Sequence, residues 1–172
     1  MPIYALGERM PTIDPTAFVH PDAVVIGDVR IGPESSVWPT AVLRGDHGAI
    51  AIGAQTSIQD GTVVHCTSTL DTVIGDRCVI GHNAHLEGCT IADDCLIGSG
   101  SVVLHRAMVG PLALVGAGAV VGNDKVVPPR ARALGVPATI QEEVVAAGAF
   151  DHAVGTYVRN VHWYAAELRR LS

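Results

Sequence analysis

The 172-residue sequence predicts a mainly β protein: a parallel β-helix of hexapeptide repeats with a C-terminal α-helix. Three observations carry this reading. Aliphatic residues recur every six positions, as in Ile13, Val19, Val25, Ile31, Val37, Leu43 and again in Ile91, Ile97, Val103, Val109, Val115, Val121, Val127. Glycine often follows directly, as in Ile31-Gly32, Ile80-Gly81 and Val115-Gly116. Aromatic residues are only 4% of a chain that is 48% hydrophobic, so the core must be aliphatic. Six is a multiple of the strand period of two and does not match the helical 3.6. One inward aliphatic per six residues implies short strands joined by tight bends, where Gly, Asn and Asp supply a permissive backbone. Three such units make one turn of a triangular prism, and each turn pairs its backbone with the next.

Residues 1–138 read as the prism. The clock breaks first at "LRGDHGAI" and resumes as Ile52, Ile58, Val64. It breaks again over "HCTSTLDT", resumes as Ile74, Ile80, Leu86, and loses one residue before Ile91. Residues 139–172 read as a helical segment that manages the raw end of the stack, packing on the prism or on a neighbouring subunit. "GVPA" turns the chain out, and Thr139 with Glu142 has the spacing of a capping box. Beyond Gly148, Tyr157, Val161, Tyr164, Leu168 and Leu171 fall on one helical face.

The net charge is −6 and no run of Lys or Arg is present, which argues against nucleic acid and anionic membranes as partners. The N-terminus lacks the pattern of a signal peptide, and no apolar run approaches the ~18 residues of a membrane span. A cytoplasmic location is the expectation. The four cysteines form no C-x-x-C pair and read as small buried hydrophobes.

In a solenoid, chemistry is expected where the repeat is interrupted. The interruptions hold Arg44, Asp46, His47, Gln59, Asp60, His65, His82, His85 and Glu87, which include half of the eight histidines. His65 and His82 lie 17 residues apart, close to one 18-residue turn. Stacking would then bring them together within a chain or across a subunit boundary. His20, His152 and His162 read as surface residues, His105 as a surface or contact position in a regular repeat, and His47 as part of a loop.

The stretches "SVWPTAVLRGD", "SIQDGTVVH", "TVIGDRCVIGH", "GCTIADDCLIGSGSVVL", "LGVPA" and "YVRNVHWY" together give R-G-D, I-Q-D, a histidine and G-H at fixed spacing. In these the chain resembles the γ-class carbonic anhydrases and their close relatives. The resemblance implies a left-handed β-helix, a homotrimer and reversible hydration of carbon dioxide to bicarbonate by a zinc-bound hydroxide at the subunit interface. It implies His65 and His82 as metal ligands, with His82 reaching the site of a neighbouring subunit. Gln59 would orient the hydroxide. Arg44, Asp46 and Asp60 would form a charged network at the boundary, and Tyr157 would approach the pocket. Iron or cobalt would suit the same ligands as zinc.

The chain departs from the family motif G-H-x-x-x-x-H-G-C. Glu87 stands at the third histidine, and a new histidine, His85, stands two residues earlier. These positions differ by one strand period, about 6.5 Å, and cannot both fill one coordination position. Either Glu87 ligates, giving a His₂Glu set with an open water position. Or His85 ligates, with Glu87 as the acceptor that orients it. Or the site is empty and the protein is a non-catalytic trimeric scaffold. A further alternative is a coenzyme A-dependent acyltransferase with His47 or His105 as general base.

Overall fold

The computed structural model describes residues 2–171. Strands of mostly two or three residues stack as three parallel ladders, one on each face of a prism. One face stacks Val42–Ile52, Val63–His65, His85–Glu87, Val102–Val103 and Val120–Val121. The second stacks the far end of Val42–Ile52 with Thr72–Ile74, Thr90–Ile91, Met108–Val109 and Val126–Val127. The third runs through seven parallel rungs, from Phe18–Val19 to Arg132–Leu134. Every aliphatic of the six-residue clock from Val19 to Val127 is buried in the central column, and Ile13 is half-buried at its mouth.

The first interruption is not a loop. Val42–Ile52 is one strand of 11 residues, and His47 lies exposed within it. Its partner, Val24–Ile31, changes register between Gly27 and Val29. The surplus residues are thus absorbed as a bulge that keeps the ladder paired on both sides. The bulge also turns Val29 and Ile50 inward, which the six-residue period does not anticipate.

The second interruption is a true insertion. Thr67 and Leu70 close a tight turn, with the Thr67 N–H donating to the Leu70 carbonyl at 2.9 Å. This lengthens the coil, so His65 pairs in register with Glu87 and not with His82. The 17-residue spacing therefore does not stack the two histidines within one chain.

At the C-terminal end, Thr139 begins a strand and not a helix. Thr139–Gln141 pairs antiparallel with Arg132–Leu134 and covers the last rung. An unpaired edge offers a full row of backbone partners, which outweighs a capping-box signature. The helix, α1 (Asp151–Glu167), starts later, with Phe150 at its N-cap and no side-chain cap. It buries Val154 and Val161. Tyr157 and Tyr164 lie against Trp38, with ring centroids 5.9 and 4.9 Å away, and Tyr164 also meets Phe18. Leu168 and Leu171 lie past the helix and are exposed, which corrects the expected face. Arg77 pairs with Asp151, and His162 Nε2 meets Glu34 Oε1 at 3.1 Å, pinning the helix to the prism.

All four cysteines are free and buried. Burial pushes the Cys89 thiol up to about 12, which keeps it protonated and unreactive. Among the described residues, no helix is long and apolar enough to cross a membrane.

Candidate functional site

The polar residues of the interruptions gather into two groups, at opposite ends of the face that carries Val63–His65 and His85–Glu87. Register creates the first. Arg44 pairs with His65, and His65 with Glu87, so three coils deliver adjacent side chains. His65 sits between two carboxylates: its Nε2 is 3.1 Å from Asp46 Oδ1 and its Nδ1 is 3.1 Å from Glu87 Oε1. An imidazole donates to both only when both nitrogens carry a proton. Arg44 pairs with the other oxygen of Asp46. Glu87 Oε2 is 3.3 Å from His85 Nε2. His105 Nε2 lies 3.5 Å from Glu87 Oε1.

Opposing effects set the charge of the two acids. Burial would raise the pKa of Asp46, but hydrogen bonds from Arg44 and His65 and the guanidinium charge outweigh it, lowering it from the ordinary 3.8 to about 2. Burial likewise acts to raise that of Glu87, and the contacts with His65, His105 and His85 overcome it and hold the carboxyl below its ordinary value. A carboxyl depressed on folding stabilises the fold above its unfolded pKa, and that contribution is lost as pH falls through the folded pKa. The urea midpoint of the wild type should therefore exceed that of Asp46→Asn at pH 7. The gap should close between about pH 4 and pH 2. A gap that stays constant over that range would contradict the assignment.

The second group is built on the turn that follows Ser57–Ile58. Gln59 is buried there, and its backbone N–H donates to the Ile80 carbonyl at 2.9 Å. Asp60 Oδ2 lies 2.9 Å from Nδ1 of His82, whose side chain is half exposed. Burial raises the pKa of Tyr157, and the negative charge of Asp60 adds to the effect. The helix thus brings its tyrosine toward this group.

Arg44, Asp46, His65, His85 and Glu87 therefore come together, as do Gln59, Asp60, His82 and Tyr157. Within one protomer the described residues contain no group of three or more His, Cys, Asp or Glu able to hold a metal ion. His105, read from the sequence as a surface or contact position, is the residue whose place beside Glu87 was not expected. It lies 18 residues beyond Glu87, one regular coil, and that spacing was the signal available. Between the two groups, Val42, Val63, His85, Val102 and Val120 pair in register on successive rungs, and Val63 is exposed. Their inward neighbours Leu43, Val64, Leu86, Val103 and Val121 fill the core, so this column faces outward.

The family model described as bacterial transferase hexapeptide (six repeats) matches residues 71–105 and 88–123. Gamma carbonic anhydrase 2, mitochondrial, of Arabidopsis thaliana is 42% identical over 127 residues, covering 70% of this chain and 46% of the relative. Carnitine operon protein CaiE of Escherichia coli K12 is 44% identical over 117 residues, covering 68% of this chain and 60% of the relative. The matched region is thus about half to three-fifths of these curated relatives. A solved Bacillus cereus protein, provisionally named an acetyltransferase, superposes with a TM-score of 0.91 at 35% identity, covering 94% of this chain and 95% of that one. A hexapeptide transferase family protein from Anaplasma phagocytophilum gives 0.89 at 34% identity, covering 94% and 97%. With likeness at that identity along nearly the whole chain, and with relatives named gamma carbonic anhydrase, this protein belongs to the bacterial transferase hexapeptide family.

Proposed function

We propose that this protein is a γ-carbonic anhydrase-like metalloprotein, assembled as a homotrimer, that hydrates carbon dioxide to bicarbonate between subunits. The observation that carries this reading is the splitting of the predicted site into two groups at the two ends of one face. A ring of copies would set the His65–Glu87 end of one protomer against the His82–Gln59 end of the next. The outward valine column between them supports a protomer contact, since such a stripe gains by leaving water.

The donor set fits a borderline divalent ion such as zinc, iron or cobalt, because it offers imidazole nitrogen and carboxylate oxygen. His65 Nδ1 and Glu87 Oε1, 3.1 Å apart in adjacent coils, are as close as two ligands of one small ion. Of the two candidates for the third ligand, register favours Glu87. It lies opposite His65, whereas His85 lies opposite Val63 and meets the group only through Glu87. The ligands are therefore His65, Glu87 and His82 of a neighbouring copy.

Such an ion would acidify a water and supply a nucleophile for carbon dioxide near neutral pH. The chain's own residues do the rest. Gln59, held in the rung beside His82, orients the incoming groups. Arg44 and Asp46 fix His65. Asp60 holds His82, and Tyr157 lines the approach from the helix. The carboxylate at position 87 leaves more negative charge at the site than an imidazole would, which weakens acidification of the water.

Metal analysis of protein purified without chelator, followed by carbon dioxide hydration assays, tests the proposal. One bound divalent ion per protomer is expected, with a measurable rate that Glu87→His raises by up to about tenfold at pH 7, as the water's pKa falls by about one unit. Metal-free wild type with no hydration activity after reconstitution would leave the scaffold reading instead. His105 is a poor general base for an acyltransferase, since its Nε2 is buried against Glu87.

A further inference from the structure

The cluster around Glu87 contains one atom without a satisfied partner. Nε2 of His105 is buried and makes no hydrogen bond of acceptable geometry, and the nearest acidic oxygen is Glu87 Oε1 at 3.5 Å. A buried polar atom in this state is destabilising unless something completes it. The ring is held in place by the coil above Glu87. The Arg106 N–H donates to the Gly88 carbonyl at 2.7 Å, and the Asp124 N–H donates to the carbonyl of His105 at 3.0 Å. Gly88 has a φ of +59°, and a side chain there would come within 3.2 Å of His105 Cδ2. The absence of a Cβ at Gly88 is what lets the imidazole lie over the strand and face the carboxylate.

Glu87 consequently has an imidazole on each of three sides. His65 belongs to the ligand set, which leaves His85 on Oε2 and His105 on Oε1. A carboxylate has about four acceptor positions, so it can serve an ion and still accept from both flanking histidines. Donors of this kind, behind a metal-binding carboxylate, fix its orientation and set its affinity.

We infer that His105, together with His85, is a positioning residue that holds the Glu87 carboxylate in the orientation required to bind a divalent cation. This rests on the metal-centre reading above and adds residues to it. His85 also occupies the outward valine column, so a substitution there would perturb protomer contact as well. His105 lies off that column and isolates the positioning role.

Cobalt(II) is the probe, because its visible absorption reports coordination directly. Purified wild-type protein, His105→Leu and His105→Gln are stripped of metal and titrated. His105→Leu is expected to bind cobalt about 10–100-fold more weakly, with altered visible bands. His105→Gln keeps an N–H donor near the same place and should recover most of the affinity and the wild-type bands. In a Glu87→Ala background, His105→Leu should have no further effect, as a double-mutant cycle requires of a residue acting through Glu87. Three results overturn the inference: unchanged affinity in His105→Leu, no recovery in His105→Gln, or an equal loss in the Glu87→Ala background. If the wild type binds no cobalt, the metal-centre reading itself fails and this inference with it. If the wild type binds and His105→Leu matches it, the metal centre stands and only the role of His105 is lost.

Discussion

His65→Ala is expected to abolish metal binding and carbon dioxide hydration, and mixing it with His82→Ala is expected to restore part of both. His65 lies between Asp46 and Glu87, so its removal deletes one ligand and leaves two half-buried acids facing each other without the imidazole between them. Affinity for cobalt or zinc should fall about a hundredfold or more, beyond the 10–100-fold typical of losing a supporting contact. His82→Ala should be equally inactive, although its side chain is half exposed and touches only the other group in its own protomer. If each site draws His65 from one copy and His82 from its neighbour, subunits of the two variants complement one another. After dissociation and reassembly at equal concentrations, about one quarter of the sites should contain both histidines. Recovery of metal and activity to that level supports shared sites. A mixture as inactive as its components, at wild-type oligomeric size, would show that the two histidines serve separate purposes.

The fold was legible because its driving pattern is one-dimensional. Within each unbroken run an inward aliphatic recurs every six residues, and these residues make up most of the core, so Val25, Leu43, Ile80 and Val103 could be placed from spacing alone. The breaks were legible as places but not as shapes. "LRGDHGAI" looks like a loop because the clock fails there, yet a register shift opposite Gly27 and Val29 keeps it in the ladder. The pairing of His65 with Glu87 depends on how many residues the insertion after His65 adds to its coil, which a fixed period cannot supply. Thr139 was misread because local capping chemistry is visible in sequence and a vacant sheet edge is not. Of the site, the charged residues were all identified, but their division into two groups is a property of coil length. His105 read as a surface or contact position because it keeps the repeat intact, so no break tied it to Glu87.

Gly27→Ala is expected to have the largest effect on stability of any single methyl added to the chain, and to carry that effect into the site. Gly27 has a φ of +79°, and a Cβ there would lie 2.1 Å from the Gly45 carbonyl oxygen and 2.7 Å from its carbon. Gly45, in turn, has Asp28's carbonyl oxygen 2.4 Å from where its own Cβ would be. The two strands therefore meet backbone to backbone at the bulge, and neither glycine tolerates a side chain. Left-handed backbone alone costs an L-residue about 1–2 kcal/mol, and forcing the strands apart adds to this, for a total of about 4 kcal/mol or more. Gly100→Ala is the internal control. It has a φ of +67° with nothing within 4 Å of its Cβ position, so only the conformational part should be seen. Gly45 lies between Arg44 and Asp46, so displacement of its carbonyl moves the pair that braces His65. Urea denaturation should show a loss for Gly27→Ala at least twice that for Gly100→Ala, and cobalt affinity should fall only in the former. Equal losses in the two variants would mean that the close approach at the bulge relaxes easily. Gly27 would then be required for its backbone torsion alone, with no part in holding the charged group in place.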